Sequence, residues 1–165
     1  MTPWMGLLVV AVLLQSTVLS RVTVGGVHPN LMLAIIVSWS LLRSGREGLL
    51  WAFFGGLLLD LLSSAPLGTF LVALLVTAFV TGLIEVALFR PSLWLPVGVM
   101  FLASPLFHLV AMVMMESLGW DVTWTNLTSR LLPATILDAL LILPLFPLLR
   151  RVSDMAGEKA IEWSR

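Results

Sequence analysis

Apolar residues run along almost the whole length of this chain, in segments at about 4 to 20, 29 to 43, 48 to 64, 68 to 89, 93 to 117 and 127 to 149. Such a spread cannot be folded away into one water-bounded core. The 165 residues are 59% hydrophobic and 11% charged, with a mean hydropathy of +1.07, whereas a soluble domain carries roughly a quarter charged residues. The chain is therefore read as an integral membrane protein. Its segments are built from Leu, Val, Ala, Phe and Gly without period-two alternation, which favours helices over barrel strands. The expected fold is all-α: a polytopic membrane protein with six transmembrane helices. A span needs about 20 residues, so the second and third segments are short. They either thin the bilayer, tilt little, or sit inside the bundle behind longer helices.

Proline marks the boundaries. Pro3, Pro29, Pro66, Pro91 and Pro133 fall at or near segment ends, where a missing N–H is harmless, while Pro96, Pro105, Pro144 and Pro147 lie within segments and are expected to bend them. The first segment has no Lys or Arg before Arg21 and no small-residue cleavage site after it, so it reads as an uncleaved first helix. Residues 1–149 are assigned to a six-helix transmembrane domain. Residues 150–165 form a short cytoplasmic tail, in which Val152, Met155 or Ala156, Ala160 and Trp163 recur at helical spacing and predict an amphipathic helix on the membrane surface.

Charge sets orientation. With the N-terminus in the cytoplasm, Arg43, Arg46, Arg90, Arg150, Arg151, Lys159 and Arg165 lie inside and only Arg21 and Arg130 outside, as the positive-inside bias requires. Both termini are then cytoplasmic. Trp4, Trp39, Trp51, Trp94 and Trp163 fall near the inner boundary, and Trp120 and Trp124 near the outer one, which matches an aromatic belt. Nine Lys and Arg balance nine Asp and Glu, so no basic field points to nucleic acid. The absence of cysteine excludes disulfides and thiolate metal sites.

Ionisable residues inside apolar segments are the candidate sites. Asp60 closes the third segment, as either a structural or partner-contact carboxylate or a helix-end acid reaching outer water. Glu85 lies one turn inside the fourth segment, where an orienting ion pair with Arg43, Arg46 or Arg150 is expected. His108 and Asp138 lie nine and eleven residues from the outer ends of consecutive helices, about 14 and 16 Å deep at 1.5 Å per residue. They either pair with one another or are satisfied separately by backbone, Ser104 or Thr135. Arg130 begins the last helix near Glu116 and Asp121, and a salt-bridged helix cap is its expected role. Asn126 is expected to cap the same helix. Small-xxx-small spacings at Ala52–Gly56 and Ala78–Gly82 allow close helix crossings.

Enzyme signatures are missing. There is no Gly-rich phosphate loop, no H-E-x-x-H, no G-x-S-x-G and no dense carboxylate cluster. Neither catalysis nor a cofactor is expected.

A set of motifs runs in order through the N-terminal half: Gln15-Ser16 ending the first helix, Pro29-Asn30-Leu31, the connector Arg-Ser-Gly-Arg-Glu-Gly at 43 to 48, and Gly55-Gly56-x-x-x-Asp60-Leu61-Leu62-Ser63 leading to Pro66-Leu67-Gly68. In these features the chain resembles the rod shape-determining MreD family; the last two helices match in hydropathy and length only. The resemblance implies a small non-catalytic scaffold of the bacterial elongation machinery in the inner membrane, supporting peptidoglycan synthesis and cell shape. It implies about six helices arranged like the substrate-binding subunits of energy-coupling-factor transporters. It further implies a bitopic partner, MreC, and through it MreB filaments, the RodA glycosyltransferase and a class B penicillin-binding protein. Pro29, Gly56, Asp60 and Gly68 carry over as fold-determining positions. The alternative class is a transporter subunit that captures a small molecule, for which Trp120, Asp121 and Trp124 are the available outer-loop contacts.

Overall fold

A helix that is apolar on every side belongs out of water, in lipid or in a protein core, and Leu31–Leu42 takes the core. In the computed structural model, residues 28–87, 94–122 and 127–155 are described, together with positions 10, 11, 13, 15 and 17, which are helical. The described helices are α1 (Leu31–Leu42), α2 (Gly45–Leu62), α3 (Thr69–Ala87), α4 (Leu95–Ser117) and α5 (Leu127–Met155). Every residue of α1 from Leu31 to Ser40 is buried. It packs against α2, α3, α4 and α5, while α2 with α3, α3 with α4, and α4 with α5 pack as neighbours. The 12 residues of α1 rise only about 18 Å, well short of a hydrocarbon core of about 30 Å. Of the options open to a short segment, this one sits inside the bundle.

The expected six spans are not what length and composition support. Among the described residues, three helices are long and apolar enough to cross a membrane: Thr69–Ala87, Leu95–Ser117 and Leu131–Asp154. Helix α1 is too short, and α2 carries Arg46, Glu47 and Asp60 within its 18 residues. The first segment is described only at its five helical positions, where Ala11 joins the core.

The surrounding helices turn large apolar side chains outward, among them Phe53 and Phe54 of α2, Phe79 and Leu83 of α3, Phe101 and Leu102 of α4, and Ile136 and Leu140 of α5. Inward faces hold small residues. A Cβ on Gly56 would lie 2.6 Å from the Leu71 Cα, and one on Gly45 would lie 2.9 Å from the Gly82 Cα. The backbones of α2 and α3 therefore touch at both ends of their crossing, as the small-xxx-small spacings anticipate.

Proline placement differs from expectation at two positions. Pro96 occupies the first turn of α4, where no helical N–H is lost, and Pro133 lies inside α5 with Pro144 and Pro147. Helix α4 ends in a Schellman closure. Gly119 sits at φ 83, its N–H donates to the Glu116 carbonyl at 3.0 Å, and Trp120 N–H donates to the Met115 carbonyl at 3.1 Å. Helix α5 runs without a break past Arg150 to Met155. The remaining tail, 156–165, including Trp163, lies outside the described residues, as do Asn126 and Trp124.

Two tryptophans expected in the inner belt are instead interior. Trp39 and Trp51 are 1% and 8% exposed and stack on each other with centroids 4.5 Å apart. Trp94 and Trp120 are exposed.

Candidate functional site

The short central helix creates the central problem of this bundle. Its first amides have no intrahelical acceptors, and because its first turn is buried they need partners within the protein. Side chains from other parts of the chain converge there. The Asn30 side chain accepts from Leu33 N–H at 3.1 Å, as an N-cap residue does. Gln15 Oε1, from the N-terminal helical residues, accepts from Met32 N–H at 2.8 Å. Asp138 Oδ1, from α5, accepts from Asn30 N–H at 2.7 Å. The second carboxylate oxygen, Oδ2, accepts from the Ser104 hydroxyl of α4 at 2.6 Å. Pro29 and Asn30 are buried in this knot, and Asp138 is fully buried.

This arrangement decides between the two readings of His108 and Asp138. Both oxygens of Asp138 are engaged by Asn30 and Ser104, and His108 is hydrogen-bonded through Nδ1 to the Ser104 carbonyl at 2.8 Å. A carbonyl only accepts, so Nδ1 carries the proton. The two residues share Ser104 and do not bond directly. Thr135 donates to the Leu131 carbonyl of its own helix at 2.7 Å and takes no part.

Asp60 repeats the solution at a second helix end. Gly68 is the N-cap position of α3, since its carbonyl accepts from Val72 N–H, yet it has no side chain to cap with. The carboxylate of Asp60, 2% exposed at the end of α2, supplies the acceptors: Oδ2 to Gly68 N–H at 3.0 Å and Leu71 N–H at 3.1 Å, and Oδ1 to Phe70 N–H at 2.9 Å. Of its two sequence readings, the structural one holds, and the acid does not reach outward to water. Gly68 adopts φ 96, a conformation that favours glycine, while a Cβ there would meet nothing within 4 Å. Conformation, and not close approach, is the reason for glycine at this turn; at Gly56 the reverse is true.

The opposite end of the bundle holds a polar-aromatic cluster. Ser44 caps α2 by accepting from Glu47 N–H at 3.4 Å. Glu47 Oε2 in turn accepts from Trp39 Nε1 at 3.1 Å and lies 3.6 Å from Arg43 Nε. Arg43 also lies over the Trp39 ring, 5.7 Å from its centroid. Glu85 was expected to find one of these cations. Arg43 turns to Glu47, four residues away on the adjoining helix, and Glu85 has no ion pair among the described residues. The Arg130 side chain, expected to bridge to Glu116 or Asp121, lies outside the described residues.

Chemically, the capped ends hold backbone in place. An aspartate placed against a helix N-terminus meets both unpaired N–H groups and the positive end of the helix dipole, and the helices that contribute the caps are locked to the helix that receives them. A half-helix N-terminus open to a cavity is a site for an anionic substrate, but that of α1 is closed by Asn30, Gln15 and Asp138. Among the described residues no group of three or more His, Asp or Glu is placed to hold a metal ion. The roles of Gln15 and Asn30 as caps were not read from the sequence. An Asn immediately before an apolar helix carries the N-cap signal, whereas nothing local marks Gln15.

Comparison with known proteins finds no match among curated proteins and none among solved structures. The expected likeness to substrate-binding subunits of energy-coupling-factor transporters therefore has no support. One family model matches, described as rod shape-determining protein MreD, over residues 1–155. That match takes in the whole described bundle, with both aspartate caps and the α1 knot, and the chain belongs to the MreD family.

Proposed function

We propose that this chain is a non-catalytic scaffold subunit of the bacterial elongation complex, a multi-pass protein of the inner membrane with both termini in the cytoplasm. It binds MreC and, through it, connects MreB filaments to RodA and a class B penicillin-binding protein, supporting peptidoglycan synthesis. Residues 150–165 contribute a short tail on the cytoplasmic surface. The observation that carries this reading is that both aspartates within apolar segments serve backbone amides of the chain itself. Groups that would recognise a substrate are engaged in fixing the shape of the bundle, while its outward face is apolar. A rigid membrane body with an apolar exterior suits helix-to-helix association with other membrane proteins. The test is affinity capture of the full chain from native membranes in mild detergent, with identification of what accompanies it. MreC is the expected partner, with RodA and its penicillin-binding protein in lower yield. Recovery of a transporter ATPase module in their place would overturn the scaffold reading.

A further inference from the structure

Where the first turns of α2 meet the last turns of α3, the close Gly45–Gly82 contact leaves a groove of about 330 Å³ open to the outside of the bundle. Its walls include the apolar side chains Leu49, Phe79, Leu83 and Val86. Two charged residues, Arg46 on the α2 side and Glu85 on the α3 side, line the same groove. Neither forms an ion pair among the described residues, because the one bridge near this end of the bundle joins Arg43 to Glu47. Arg46 is exposed and Glu85 is half-buried. An ionisable group near the end of a membrane-length helix with no ion pair among the described residues points to a ligand that supplies its partner.

We propose that this groove binds one aminophospholipid of the surrounding bilayer, with an acyl chain against Leu49, Phe79 and Leu83, its phosphate at Arg46 and its ammonium at Glu85. The two charges select the headgroup. Guanidinium and phosphate match in geometry and charge, and a primary ammonium brings three donors to a carboxylate. Phosphatidylcholine has the same net charge but no N–H to offer. Phosphatidylglycerol would satisfy Arg46 and leave Glu85 facing an added negative charge. The apolar wall is not headgroup-selective, so chain contact sets residence and the charge pair sets identity.

The experiment is native mass spectrometry of the full chain in detergent, titrated separately with phosphatidylethanolamine, phosphatidylcholine and phosphatidylglycerol. Phosphatidylethanolamine is expected to bind about tenfold more tightly than either of the others, the worth of one charge-assisted hydrogen bond. Glu85→Gln should abolish its advantage over phosphatidylcholine. Arg46→Gln should weaken both by about tenfold, with the folded state monitored by thermal melting. Leu83→Trp, which fills the groove and leaves both charges in place, should weaken all three lipids together. Equal binding of the three lipids by the unmodified chain, or preference for phosphatidylglycerol, would overturn the proposal. So would a phosphatidylethanolamine preference over phosphatidylcholine that survives Glu85→Gln.

Discussion

Removing the Asp138 carboxylate leaves two buried donors, Asn30 N–H and the Ser104 hydroxyl, with nothing to bind. Asp138→Leu is expected to destabilise the bundle by about 3 kcal/mol, because each unsatisfied buried group costs about 1 to 3 kcal/mol. Asp138→Asn should be far milder: its amide oxygen still accepts from Asn30, its NH2 donates to the Ser104 oxygen, and about 1 kcal/mol is lost. Thermal unfolding in detergent compares the two, and equal losses would mean that charge, and not hydrogen bonding, is what Asp138 supplies. A double-mutant cycle of Ser104→Ala with Asp138→Leu should show coupling, since the two side chains bond directly. The sequence offered Ser104 as one possible partner of His108 and Asp138, but did not show that it stands between them and engages both. Ser104 stands one turn before His108 on α4 and reaches Asp138 first. Gly68 offers a second residue-scale test. With open space around its Cβ position, Gly68→Ala should lose only the cost of the left-handed conformation, about 1 to 2 kcal/mol, and a β-branched Gly68→Val more than that.

Helix α2 shows what governs an element. Its inward face, Gly48, Trp51, Ala52, Gly55, Gly56 and Leu59, repeats at three and four residues, and its outward face is as apolar as its core. Hydrophobicity therefore does not tell the faces apart; the Gly and Ala residues at 48, 52, 55 and 56, all inward, do. Gly56→Ala places a methyl against the Leu71 backbone and should spread α2 from α3 at about 1 to 3 kcal/mol. Gly98→Ala on α4, where an added Cβ meets nothing, should be neutral or stabilising by up to about 1 kcal/mol through helix propensity. Melting curves for the two variants measure the contrast, and a Gly56→Ala bundle as stable as the unmodified one would show that α2 and α3 do not rely on backbone contact.

At the scale of the whole molecule, the basic residues predict topology. Reporter fusions after Arg46, Trp124 and Arg165 should read inside, outside and inside, and an externally accessible C-terminus would reverse the orientation. Composition and residue pattern by themselves determined that the chain is helical, membrane-embedded and segmented at Pro29 and Pro66, because these follow from the free energy of moving side chains out of water and from local backbone limits. The ordered motifs also sufficed to place it in its family. Tertiary structure alone decided that Leu31–Leu42 is the central helix and that Trp39 and Trp51 are interior. It alone decided that Glu85 goes without Arg43. It also brought Gln15 and Asp138, 123 positions apart, to one helix end. The physical reason is that lipid-facing and core-facing positions are equally apolar in a membrane bundle, so the pattern that separates inside from outside in a soluble chain is silent here. Burial is settled instead by which backbone amides lack acceptors and which distant side chains can reach them.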